Sequence, residues 1–91
     1  MKWSVSIVAE GDREVSHEEV VALADAVAGF GGIASGIGSM HYGAQVVVEA
    51  SSRAAALDRG EEIFVGAVRV AGLPSWPVTS VEAMSEDDDL L

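Results

Sequence analysis

From Trp3 to Ile7 the sequence WSVSI alternates without a break, with Trp3, Val5 and Ile7 on one side and Ser4 and Ser6 on the other. Successive side chains of an extended chain point to opposite faces, so the pattern predicts a strand buried on one face only. The polar run Glu10-Gly11-Asp12-Arg13 ends it. Ser16 then stands three residues before Glu19. At that spacing the hydroxyl accepts from the Glu19 amide while the carboxylate reaches back to the cap, which predicts a capping box, with Val15 and Val20 as its hydrophobic staple. Val20, Leu23, Ala24, Val27 and Phe30 recur at helical spacing beyond the cap, and Gly31 and Gly32 close the helix they predict.

The segment GGIASGIGSMHYG, Gly31 to Gly43, is mostly small residues. Its pattern predicts an extended region from Ile33 to Tyr42, with Ala34, Gly36, Gly38, Met40 and Tyr42 on one face and Ile33, Ser35, Ile37, Ser39 and His41 on the other. A turn is expected at Gly43-Ala44, then a central strand from Gln45 to Ala50, the most β-branched stretch of the chain. Ser51 and Ser52 offer caps for a second helix, in which Leu57, Gly60, Phe64, Ala67, Val68 and Ala71 lie near one face. Gly72 and Pro74 stop that helix. A last strand runs from Val78 to Met84.

These elements give a domain over residues 1–84 and an acidic, disordered tail over 85–91. Val5, Ile7, Leu23, Val27, Val46, Val48, Phe64 and Val68 are its expected core. The order β-α-β-β-α-β is that of the split βαβ plait, an α+β fold in which one four-stranded antiparallel sheet, ordered 4-1-3-2, carries two helices on a single face. From Trp3 to Met84 the chain resembles the ferredoxin-like superfold. Within that superfold it is distantly similar to the ACT-type regulatory domains, through the turn Glu10-Gly11-Asp12 after the first strand and the strand containing Val46 to Val48. That resemblance implies dimerisation through sheets or helices and a small ligand, an amino acid, held at the interface. The chain also resembles short, free-standing bacterial proteins of this plait to which no activity is assigned.

Charge narrows the partners. Fifteen acidic residues against five basic ones give a net charge of -10, and Lys2, Arg13, Arg53, Arg59 and Arg69 are scattered. Binding to phosphate backbones or anionic bilayers draws on clustered Lys and Arg, so neither nucleic acid nor membrane is an expected partner. No apolar run approaches the ~18 residues of a membrane span, and MKWSVSIVAEG is too polar for a signal peptide, so the expected location is the cytoplasm.

Candidate chemistry is sparse. With no Cys there is no thiol, disulfide or thiolate metal site. Gly36-Ile37-Gly38 lacks the third glycine of a dinucleotide loop and leads out of a helix rather than into one, and no Lys follows Lys2 to complete a phosphate loop. Ser35 and Ser39 lack the flanking glycines of a nucleophile elbow. His17 and His41 are far apart, and Asp87 to Asp89 lack calcium-loop spacing, so no metal site and no cofactor are expected. Gly36, Gly38, Met40, His41 and Tyr42 remain as ligand or interface candidates. Trp76, stiffened by Pro74 and Pro77, is expected to cap the core against Trp3. The reading that follows is a non-enzymatic interaction module, homodimeric through the open sheet face, whose partner is a second copy, another protein or a small molecule. Two alternatives stay open: a small-ligand regulatory domain, and a small enzyme using His41 with Tyr42 and Glu49.

Overall fold

A computed structural model describes residues 1–36 and 39–85. The chain forms β1 (Lys2–Glu10), α1 (His17–Val27) followed by a single 3-10 turn (Ala28–Phe30), β2 (Ile33–Ser35), β3 (His41–Glu49), α2 (Arg53–Ala71) and β4 (Val78–Ser85). The four strands make one antiparallel sheet in the order β2-β3-β1-β4, or β4-β1-β3-β2 counted from the other edge. No helix among the described residues is long and apolar enough to cross a membrane.

The alternation in β1 does what the pleat requires: Trp3, Val5, Ile7 and Ala9 are buried, and the residues between them are not. They share one core with Val46 and Val48 of β3, Leu23 and Val27 of α1, and Phe64 and Val68 of α2, so both helices lie on the same side of the sheet. The close approach of α2 depends on Gly60. A Cβ there would stand 2.5 Å from Val5 Cγ1, so the absent side chain lets the helix axis settle onto the central strand.

The caps are those that the sequence specifies. Ser16 Oγ accepts from the Glu19 amide and the Glu19 carboxylate accepts from the Ser16 amide, while Val15 and Val20 are both buried. Ser52 caps α2 by accepting from the Ala55 amide, and Gly72 ends it with φ 76°, a left-handed conformation that glycine adopts without a steric penalty.

The glycine-rich segment departs from its expected form. β2 spans three residues instead of ten, and β3 begins at His41, so the reversal lies between Ser35 and His41 and not at Gly43-Ala44. Gly36 has φ 126°, a region closed to side chains, and a Cβ there would lie 2.9 Å from Tyr42 Cα. The chain therefore leaves the strand at Gly36, and the Ser39 amide closes the bend by donating to the Gly36 carbonyl at 3.1 Å. Gly43 and Ala44 sit inside β3, opposite Val8 and Ile7.

Three smaller expectations are also corrected. Phe30 does not continue the buried stripe of α1: the chain tightens into the 3-10 turn after Val27, which leaves the ring 45% exposed. Trp76 and Trp3 do not meet. Trp3 donates its indole N–H to the Ala50 carbonyl at one end of the sheet, and Trp76 stacks on Tyr42 at the other. Finally, β4 runs one residue past the expected Met84, and Ser85 is buried and pairs in register with Trp3. The rest of the acidic segment lies outside the described residues, as does Gly38.

Candidate interaction surface

The face of the sheet turned away from the helices is built by alternate residues of β1 and β3, of which Gly43 alone is buried. In register, Ser4 lies opposite Val47, Ser6 opposite Gln45 and Val8 opposite Gly43. β2 adds Ile33 beside Gln45 and Ser35 beside Gly43. Cross-strand neighbours share a face, so these side chains form one contiguous patch across three strands. Gln45 donates its amide to Ser4 Oγ, which fixes the longest polar side chain of the patch flat on the sheet.

Charge is confined to the margins. Lys2 and Glu49 pair in register at one end, Glu10 and His41 at the other, and Glu82 lies on β4 beside Ser6. In the centre Gly43 leaves a shallow hollow of about 150 Å³ bordered by Ser6, Val8, Ile33, Ser35 and Gln45. Gly43 is confined there, since a Cβ would approach the Ile7 carbonyl to 2.9 Å. Ile33 stands above the hollow with 66% of its surface exposed.

The sequence candidates fall in different places. His41 and Tyr42, adjacent on β3, point to opposite faces. Tyr42 is in the core: its hydroxyl donates to the Pro74 carbonyl at 2.5 Å and accepts from the Trp76 amide at 3.4 Å. Burial pushes the phenol above its ordinary pKa, so it remains a proton donor through the neutral range. His41 is exposed at the end of the outer face, and its imidazole makes no hydrogen bond within the described residues. Met40 is exposed, and Gly36 forms the bend. The main chain of this connection has a structural task, because the Met40 carbonyl accepts from the Gly11 amide and the Ser39 carbonyl accepts from the Val15 amide, both at 2.9 Å. The β2–β3 connection thus holds the loop that leads into α1.

That loop meets a second feature that the sequence pattern does not reveal. Trp76 stacks on Tyr42 with ring centroids 5.2 Å apart, and the Arg13 guanidinium lies 5.9 Å from its ring centre. Arg13 also forms a two-pronged ion pair with Glu19, at 2.8 and 2.6 Å, which together with the capping contacts holds the Glu19 carboxyl at a pKa of about 2. The prolines flanking Trp76 were the available signal for a fixed indole; its partners depend on long-range packing.

Among the described residues no three His, Cys, Asp or Glu side chains gather as metal ligands. The chain matches no family model, and neither the curated proteins nor the solved structures with which it was compared provide a match.

Proposed function

We propose that this chain is a non-catalytic interaction module of the ferredoxin-like plait, and that it works by pairing with a second copy through the uncovered face of its sheet. The fold reading draws on the order βαββαβ and on the sheet order counted from β4. The observation that carries the functional reading is the distribution of charge. In a chain of net charge -10, the centre of the outer face over β1, β2 and β3 holds only Ser, Gln, Gly, Val and Ile. Charged residues are depleted from the cores of interfaces because desolvating them is costly, whereas an acidic protein's solvent face has no reason to exclude them.

A twofold contact is self-complementary by construction, and small side chains around Gly43 permit close approach of another surface. Gln45→Arg tests the reading, since it places an unpaired cation in the middle of the patch without touching the core. The substitution is expected to halve the mass measured by light scattering at micromolar concentration, with the circular dichroism unchanged. An unchanged mass rejects the face as an interface.

A further inference from the structure

The outer surface of α2 is divided by charge. The helix buries Ala56, Gly60, Phe64, Ala67 and Val68, and on the side away from them Asp58, Glu62, Val65 and Arg69 recur at steps of four, three and four. All four are exposed. Together with Glu61 and Gly66 they border one shallow hollow, with the acids at its N-terminal end and Arg69 at its C-terminal end. Among the described residues the ion pair is Arg13–Glu19, so neither Glu62 nor Arg69 is engaged in one.

Gly66 makes the hollow. Nothing lies within 4 Å of the position its Cβ would take, whereas Gly60, on the buried side of the helix, is pressed by Val5. Glycine weakens a helix interior, and no described part of this chain uses the space that Gly66 leaves. Toward α1 the hollow runs into a second one of about 340 Å³, which shares Glu62 and Gly66 and is bordered by Phe30 and Val70. Val70 is 81% exposed, and Phe30 and Val65 are each 45% exposed. The bare spot therefore lies among exposed apolar side chains, with charge of one sign before it and of the other sign after it.

We propose that α2 is a second self-association surface, on which the α2 of another copy packs antiparallel with the two Gly66 residues at the crossing. A twofold axis between Val65 and Gly66 sets Glu62, three residues before Val65, opposite the partner's Arg69, three residues after the partner's Gly66. The reverse pair forms at the same time. The missing side chains at the crossing let the two helix axes approach, which takes Val65 out of water. A foreign helix would also fill the hollow, but an acid before Gly66 and a base after it are complementary to their own reverse, and a second copy supplies that reverse by symmetry. This surface shares no residue with the sheet face and does not rest on the contact proposed there. Exposed ion pairs contribute little each, so the α2 contact forms at higher concentration than one that buries a sheet face. The two surfaces lie on opposite sides of the domain, so with both in use dimers join into an open row instead of closing.

The test uses the full chain carrying Gln45→Arg, which removes the sheet contact, and reads mass by sedimentation equilibrium from micromolar to millimolar concentration, with circular dichroism as the check on folding. The expected result is a monomer that becomes a dimer toward the upper end. Adding Glu62→Arg, an exposed change that lowers the net negative charge, is expected to weaken this association by roughly tenfold or more, because like charges then meet at both ends of the crossing. Relief of general self-repulsion would instead strengthen it. Adding Arg69→Glu to that variant exchanges the charges and restores the dimer. A protein that stays monomeric to millimolar concentration, an association unmoved by Glu62→Arg, or failure of the exchanged pair to restore it overturns the α2 contact. A dimer already present at micromolar concentration supports the contact if Glu62→Arg dissociates it and overturns it otherwise.

Discussion

Gly11 packs so closely against Trp76 that a Cβ built on its backbone would overlap the indole atoms Cε2 and Cδ2. The glycine is therefore required by what lies across from it. The indole cannot retreat, because Tyr42 stacks behind it and Pro74 and Pro77 stiffen its backbone.

Gly11→Ala forces this ring off Tyr42 or displaces the first loop. Overpacking of this kind costs about 1–3 kcal/mol, and in a domain of this size each kcal/mol lowers the melting temperature by roughly 4–8 °C. Thermal denaturation followed by circular dichroism measures it. A melting temperature equal to that of the wild type would show that the indole has room to move.

The tight relationship of Gly11 and Trp76 also marks where a sequence pattern stops being informative. The capping box, the alternation in β1 and the stops at Gly31 and Gly72 are local devices, and each specifies its element through groups within a few residues. Pairing across the sheet is not local. The alternation from Ile33 to Tyr42 continues through Gly36, yet the chain reverses there, because glycine can take a positive φ that the pattern does not record. Gly43 resembles a turn residue in the sequence but is a strand residue held against the Ile7 carbonyl. Of the candidate residues, the opposite orientation of His41 and Tyr42 followed from their adjacency. The anchoring of the Tyr42 hydroxyl by Pro74, thirty-two residues away, could only come from the fold.

Tyr42→Phe removes that anchor while keeping the ring. The Pro74 carbonyl and the Trp76 amide each lose a partner in a half-buried site, which costs about 1–3 kcal/mol where water cannot replace it. The pH response changes as well. Because the folded phenol has a raised pKa, the unfolded chain ionises first as pH climbs past 10, and stability present below that value falls. Denaturant titrations at pH 8 and above pH 10 should show the wild type weakening by more than Tyr42→Phe. Equal losses would remove Tyr42 as the cause.

Glu19 gives the opposite dependence at the acid end. Its folded pKa of about 2 lies below the ordinary value of 4.5, chiefly through the hydrogen bonds from Arg13 and the Ser16 amide. The unfolded chain therefore takes up the proton first, and the stabilisation present above pH 4.5 is lost as pH falls toward 2. The pair is solvent-accessible, so the contribution is modest and screened by salt. Glu19→Gln is expected to flatten the part of the acid denaturation profile between those limits, with a smaller effect in high salt. A profile parallel to the wild type at all salt concentrations would exclude the pair as its source.

Two glycines of α2 should respond with opposite sign to the same change. In a helix interior, alanine is favoured over glycine by about 1 kcal/mol, chiefly through backbone entropy. At Gly66 nothing lies within 4 Å of the position a Cβ would take, so Gly66→Ala should raise stability by about that amount. At Gly60 the same methyl group would meet Val5 Cγ1 at 2.5 Å and Val5 Cβ at 2.8 Å. Val5 is fully buried on the central strand and its branched side chain has little rotamer freedom, so the strain cannot be relieved by a flexible end. The overpacking cost of about 1–3 kcal/mol then offsets or exceeds the helical gain, and Gly60→Ala should be destabilising by up to about 2 kcal/mol. Urea denaturation of both variants beside the wild type measures the two shifts. If Gly60→Ala were as stabilising as Gly66→Ala, α2 would not be seated on Val5.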